Sequence, residues 1–418
     1  MAIQRRKFLV NSVASMLAIG SSLATHRRTT DGSGKSDSAV ERIRGMLLGT
    51  LIGDAMGGPL EFAKPEARKR HVADCRSWPD SKRLDDQSIA ELESFAELKG
   101  YAPVRPESAA YGPWVKNAPA GTMTDDSRLK IVLIRALRRA SKNDESLSVE
   151  GLATAVLEFK PLVDQPPDDA ASELLREGMA EYRFAANWLL GERDPKVALP
   201  LDRLWGGISN CSGQMMMLPL AAKYAGNPDL AYRQCFGLDF IDASTAKDIA
   251  AAIVAGMSCV LGPEADSLSI EERWRQLEAT MLSTDPFRLN EVPFVGRPLK
   301  KWLDLANSIA DRADGRPKRA YELLQAEGKP VYYWDAHFTL LVSMVMLKLT
   351  EYRPMAALGL ALDFGHDTDS YTQLIGALIG AVCGPDVFAE KMQKMIERRL
   401  MMDFGEDISQ WIELLKEE

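Results

Sequence analysis

Glycine recurs every fourth residue in two apolar stretches near opposite ends of the chain. Gly45, Gly49 and Gly53 lie in ERIRGMLLGTLIGDAMGGPLEF, and Gly376, Gly380 and Gly384 lie in YTQLIGALIGAVCG. At helical spacing this period strips side chains from one face, so another element can approach close to the backbone. Two such faces in one chain are suited to pack directly on each other. The first stretch reads as a helix that stops near Met56-Gly57-Gly58-Pro59, where glycines and a proline end it.

The 418 residues suffice for one large domain or two ordinary ones, and 46% hydrophobic with 26% charged residues fits a globular protein. Helical spacing dominates and strict alternation is scarce, which predicts a mostly α-helical protein. DDQSIAELESFAELK is one short helix. From Asp125 onward the pattern predicts helices over about 125–141, 148–158, 170–191, 213–224, 229–239, 243–261, 270–282, 298–313, 317–326, 336–350, 354–362, 369–381, 386–400 and 406–417. The connection 283–297 carries a short irregular excursion. No fixed-period repeat or second linker interrupts the chain, so the expectation is a single-domain helical bundle over 39–418. The formal net charge of −8 argues against a general nucleic-acid binder. Five scattered cysteines without a CxxC pair disfavour a disulfide framework or structural zinc. Cys211 and Cys235 are the pair that export would allow to join.

Residues 1–24 read as a twin-arginine export signal. Arg5-Arg6-Lys7-Phe8-Leu9-Val10 precedes a mildly apolar stretch too short and too polar to form a stable transmembrane span, and Ser22-Leu23-Ala24 is a small-x-small cleavage site. Residues 25–38 are polar and Gly/Ser-rich, a flexible tether. The expected location is therefore periplasmic. The oligomeric state is unknown from the sequence.

Two acidic clusters each open an apolar helix: Thr124-Asp125-Asp126-Ser127 and His366-Asp367-Thr368-Asp369-Ser370. Each alone is explained by helix capping, for which Asp and Thr are suited. Together they offer only oxygen ligands, which suits Mg²⁺, Mn²⁺ or Ca²⁺ and disfavours zinc or copper. Carboxylates gathered in one site repel, and a cation is the natural compensation. Asp54 and Glu61 close the first glycine-rich stretch. Asp54 suits a loop-ordering hydrogen-bonded group as well as a catalytic one; Glu61 suits a surface carboxylate or a mobile catalytic arm. Gly206-Gly207 and Ser209-Asn210-Cys211-Ser212-Gly213 precede another helix start, either an anion site suited to phosphate or an ordinary loop. Tyr111 and Trp114, in a Pro/Gly-rich loop, read as a pocket wall or as packing.

RGMLLGTLIGDAMGGPLEF, GTMTDDS and GHDTDSYTQLIGALIGA, in that order, resemble the three signatures of the ADP-ribosylglycohydrolase family, which includes the enzyme that reactivates dinitrogenase reductase. The resemblance spans roughly residues 40–385. It implies an all-α orthogonal bundle with two divalent cations, Mg²⁺ or Mn²⁺, at the base of an ADP-ribose cleft. It carries the metal ligands onto Thr124, Asp125, Asp126, Asp367, Asp369 and Ser370, with Asp369 as the bridge and Glu61 as the cleft glutamate. Catalysis then rests on Glu61, Asp125 and Asp369, and Gly207, Asn210, Ser212, Gly213 and His366 are candidate substrate contacts. The implied reaction is hydrolysis of an N- or O-glycosidic bond at the anomeric carbon of ADP-ribose, on an ADP-ribosylated protein or a small ribosyl compound. One departure stands out: the family's phosphate loop reads like Gly-Asn-Gly-x-x-Met-Arg, whereas this chain has Asn210-Cys211-Ser212-Gly213-Gln214-Met215-Met216, without the arginine. The substrate is then ADP-ribosyl or another riboside such as a nucleoside. The competing readings are a non-catalytic ADP-ribose or nucleotide binder that retains the fold, and a structural helical protein whose acidic caps never meet.

Overall fold

The computed structural model describes residues 38–104, 118–159, 180–191, 209–292 and 296–416. Among these residues the secondary structure is helical with no strand, and extended backbone pairs at one isolated antiparallel bridge, Asn210 with Asp335. No helix among them is long and apolar enough to cross a membrane.

The two glycine-rich stretches form helices Ala39–Gly57 and Thr368–Cys383, and they lie against each other. A methyl group added at Gly49 would overlap the carbonyl oxygen of Gly376, and one at Gly376 would overlap the carbonyl of Gly49. At Gly45 it would fall 2.5 Å from the carbonyl carbon of Gly384. Hydroxyls fasten this seam. Thr372 Oγ1 donates to the Gly53 carbonyl at 2.6 Å, Thr368 Oγ1 to that of Gly57 at 2.8 Å, and Thr50 Oγ1 to Gln373 Oε1 at 2.9 Å. Both helices are buried nearly all round, which suits their almost continuous apolar sequence.

The remaining helices wrap this pair. Asp125–Lys142 and Thr245–Leu261 touch it directly, and Ala336–Leu349 and Pro354–Phe364 pack on Thr368–Cys383. Helix Pro354–Phe364 ends at Gly365, whose φ of +81° is a left-handed conformation that glycine adopts without penalty. The guanidinium groups of Arg68 and Arg76 donate to the Phe364 carbonyl at 3.1 and 2.8 Å, which satisfies an orphan acceptor at the negative end of that helix. The turn from Gly365 to Asp367 is thereby held from outside.

Several expected boundaries shift. The helix predicted over 213–224 is two short pieces, Ser212–Met216 and Pro219–Lys223, because Pro219 has no N–H to continue the ladder. The helix predicted over 386–400 runs from Glu390 to Phe404 and stops at Gly405 in the left-handed region, after a short turn Pro385–Val387. DDQSIAELESFAELK is helical only over Asp86–Phe95, capped by the Asp85 side chain. Of the segment 170–191, residues from Ala180 are described and form a helix to Leu189. The short excursion within 283–297 includes the turn Leu289–Glu291. Cys211 and Cys235 are both buried free thiols, so the suggested disulfide is absent. Residues 1–24, Tyr111, Trp114 and Gly207 lie outside the described residues.

Because the seam is backbone on backbone, no side chain can give way there. Gly49→Ala or Gly376→Ala is expected to cost about 3 kcal/mol or more, at or above the upper end for overpacking. Gly237, in helix Pro228–Leu238, has no atom within 4 Å of an added methyl, so Gly237→Ala is expected to be neutral or stabilising. Denaturant midpoints of the three variants check the contrast.

Candidate active site

The seam carries the ends of both glycine helices to one place. Asp54 is fully buried in the last turn of Ala39–Gly57. Its carboxylate accepts from the backbone N–H groups of Thr124 (3.1 Å) and Ser127 (3.2 Å), from Thr124 Oγ1 at 2.6 Å, and from the Ser127 hydroxyl. Four donors from one helix start converge on one carboxylate. Asp54 is thus the loop-ordering group, and it fixes the TDDS cluster against the first helix. Thr124 is also the N-cap of Asp125–Lys142, its side chain accepting from the Asp126 N–H at 3.3 Å.

The second cluster opens helix Thr368–Cys383, with Asp367 at its N-cap position. Glu61 follows the short turn Gly58–Leu60 and is buried rather than a surface carboxylate. These segments enclose a cavity of about 210 Å³ lined by Glu61, Asp125, Asp126, Asp367 and Asp369. Ser370, Asn210, Cys211, Met215, Tyr182, Phe62 and Trp334 complete its wall. Ligand oxygens of Glu61, Asp367 and Asp369 lie within 4.8 Å of one another, and so do those of Asp125, Asp126 and Asp369. Asp369 belongs to both triads. The acidic caps therefore do meet, which removes the reading in which they are unrelated helix starts.

The electrostatics favour a cation. Burial is the largest cause raising the carboxyls of Asp125, Asp126, Asp367 and Asp369 above the ordinary range, and neighbouring carboxylates add to it; Asp367 reaches about 7. Among the described residues, buried Asp126 Oδ1 and Asp367 Oδ2 have no hydrogen-bond partner. Ser370 Oγ lies 3.5 Å from Asp126 Oδ2, and the Tyr182 hydroxyl donates to Asp125 Oδ2 at 3.3 Å. Orphaned, buried, all-oxygen donors of this kind fit a hard divalent cation. The protein's own cations here are Arg128, whose charge acts on Asp125, and Lys130, fully buried, which donates to the Asp126 carbonyl at 2.9 Å and is brought down to about 8 by burial.

The sequence-predicted substrate contacts separate into groups. Asn210 lines the cavity. Ser212 and Gly213 lie behind it, and their amides are spent: Ser212 N–H donates to Asn210 Oδ1 and Gly213 N–H to Asp242 Oδ2, both at 2.9 Å. The phosphate site suggested for this turn is therefore not formed by these amides, and the helix behind it has only five residues. His366 stacks on Tyr333, with ring centroids 3.6 Å apart, instead of lining the cavity. Burial and the nearby Arg76 and Arg68 lower it to about 4, so it is neutral at pH 7. Thr124, whose hydroxyl serves Asp54, is likewise not a lining residue. Sequence reasoning missed Tyr182, Lys130 and Trp334; for Trp334 the run Tyr332-Tyr333-Trp334 ahead of a helix was the available signal.

A family model described as ADP-ribosylglycohydrolase matches residues 35–418. The chain belongs to the ADP-ribosylglycohydrolase family. Membership supports a glycohydrolase. No curated protein matches the chain. Among solved structures, an "ADP-ribosylglycohydrolase-related protein complex" aligns with TM-score 0.52 at 17% identity, over 91% of this chain and 98% of that one. That likeness bears on fold alone, and it agrees with the all-α architecture described above.

A carboxyl whose pKa is higher folded than unfolded binds more protons in the native state, so its stabilising contribution is lost as pH rises through the folded value. For Asp367 that window runs from about 4 to 7. Cation-free protein is expected to melt at a lower temperature at about pH 8 than at about pH 5, and Mg²⁺ or Mn²⁺ to raise the melting temperature most at the higher pH. Thermal scans with and without chelator check both effects.

Proposed function

We propose that this chain is a divalent-cation-dependent hydrolase that cleaves an N- or O-glycosidic bond at the anomeric carbon of ADP-ribose or a related ribosyl compound. The observation that supports it most is the convergence of Glu61, Asp125, Asp126, Asp367 and Asp369, from three distant stretches, on one buried cavity. Asp125, Asp126, Asp367, Asp369 and Ser370 would hold Mg²⁺ or Mn²⁺, and Thr124, bonded to Asp54, would act by positioning Asp125 and Asp126. Such ions supply Lewis acidity toward sugar hydroxyls and neutralise the clustered charge.

The chain's own groups do the rest. The acidic walls stabilise positive charge as it develops on the sugar ring in an oxocarbenium-like transition state. Glu61, on the cavity wall, orients the attacking water and takes its proton. The water oxygen bonds to the anomeric carbon, the glycosidic bond breaks, and the leaving nitrogen or oxygen ends protonated. Asp54 acts at one remove, by holding the Thr124–Ser127 segment. The reading extends to location: export of the folded protein through an Arg5-Arg6 signal, for which Arg5→Lys with Arg6→Lys is expected to retain the protein in the cytoplasm on fractionation.

The test is turnover of a panel of ADP-ribosylated peptides and ribosides with Mn²⁺ present. Glu61→Gln is expected to lower kcat by about 10²–10⁴-fold while the triad of Asp125, Asp126 and Asp369 still binds metal. Asp369→Asn is expected to abolish both. A cation-loaded wild type that hydrolyses none of the panel, yet binds its members, would favour the binding-protein alternative.

A further inference from the structure

Besides Tyr182, which bonds Asp125, the rings of Phe62 and Trp334 share the cavity wall with the carboxylates. Phe62 directly follows Glu61, and both line the cavity. Phe62 and Trp334 meet edge to face, with centroids 5.9 Å apart at 90°, and Trp334 stacks on Tyr332 at 4.8 Å and 16°. Phe62 and Tyr332 remain 40% and 39% exposed at this edge of the cavity.

The backbone holds these rings in place. Phe62 has φ +45°, a left-handed conformation costly for a bulky residue, and its N–H donates to the His366 carbonyl at 2.8 Å. The Trp334 segment is tied down by the Asn210–Asp335 bridge, by Ala336 N–H to the Ser209 carbonyl at 3.1 Å, and by the Tyr371 hydroxyl to the Tyr333 carbonyl at 2.7 Å. Both rings are thus anchored to residues adjoining Asp367 and Ser370. By contrast, the turn at Ser212 and Gly213 has given its amides to the chain's own side chains. No lysine or arginine is among the described residues lining the cavity. The volume of about 210 Å³ is below the roughly 300–1,000 Å³ of pockets that enclose drug-sized ligands, and it suits a pentose with the remainder of the ligand outside.

We infer that Phe62 and Trp334 form a stacking subsite for a planar heteroaromatic ring attached to the reacting sugar, so that the preferred substrate is an N-riboside of a heteroaromatic base without a diphosphate. This rests on the glycosidic hydrolysis proposed above. In the reaction, the bond between the base nitrogen and the anomeric carbon breaks. Water supplies the oxygen to carbon and, through Glu61, the proton to the departing nitrogen. Planar bases stack on such rings whatever their edge groups, so selectivity among bases is low.

The experiment uses the Mn²⁺-loaded protein with inosine, adenosine and uridine, methyl riboside as a sugar without an aromatic base, and an ADP-ribosylated peptide. The nucleosides are expected to exceed the peptide in kcat/KM by tenfold or more. Trp334→Ala and Phe62→Ala are expected to raise nucleoside KM about tenfold with little change in kcat, so the nucleoside-to-methyl-riboside ratio of kcat/KM falls about tenfold. Trp334→Phe should recover much of the loss. Preference for the ADP-ribosylated peptide, or an equal loss on nucleosides and methyl riboside, overturns the inference. If wild type hydrolyses nothing, the hydrolase reading fails separately, and calorimetric titration of inosine decides the subsite. Weakening of about tenfold in Trp334→Ala supports it, and equal or absent binding in both proteins overturns it.

Discussion

The close approach of two backbones, helix Ala39–Gly57 on helix Thr368–Cys383, is the contact on which the molecule depends. Side-chain packing in a core tolerates exchange because rotamers shift, whereas a carbonyl oxygen against a glycine Cα has no such freedom. The seam therefore fixes register as well as distance. Register matters because the chemistry sits at one end of the seam: Gly57 lies against the backbone of Asp369, and Thr368 donates to the Gly57 carbonyl. Asp54, one turn earlier, then captures the start of Asp125–Lys142. A packing constraint between apolar helices thus becomes a positioning constraint on carboxylates.

Gathering those carboxylates opposes folding, and the structure shows how the opposition is met. Asp54 is satisfied by four donors. Lys130 places a buried ammonium behind Asp126. Asp126 Oδ1 and Asp367 Oδ2 have no partner among the described residues. Repulsion is therefore partly compensated by the protein and partly left for protons or a bound cation. The elements are closely packed and the charges are unbalanced, a combination typical of sites that bind rather than merely pack.

Much of this was legible in the sequence, for identifiable reasons. The four-residue glycine period is a local signal with few alternative explanations, and it read correctly as two faces that meet. The acidic clusters were legible as helix starts because capping chemistry is local; their convergence needed the resemblance between motifs. Asp54 was ambiguous because a buried acceptor and a catalytic acid look alike until the donors are placed. The turn at Ser212 and Gly213 misled because a small-residue helix start displays free amides only when no side chain reaches them, and Asp242, 29 residues on, does. Lys130 escaped notice because nothing in its own neighbourhood sets it apart; Trp334 stands in a local aromatic run, but only the fold brings either residue to the carboxylates. The break at Pro219 was local and could have been read.

The seam also sets a timetable for biosynthesis. Thr368 and Gly57, which bond across it, are 311 residues apart. At a synthesis rate of about 5–20 residues per second, the first helix waits roughly 15–60 s for its partner to be made. Throughout that interval the glycine-notched face of a nearly all-apolar helix lacks the partner that covers it, although Asp125–Lys142 and Thr245–Leu261 are made earlier. Its nearest competitors are the other apolar helices of the same nascent chain, so the order in which those segments leave the ribosome, and what shields the first one meanwhile, bears on whether the acidic site is ever assembled.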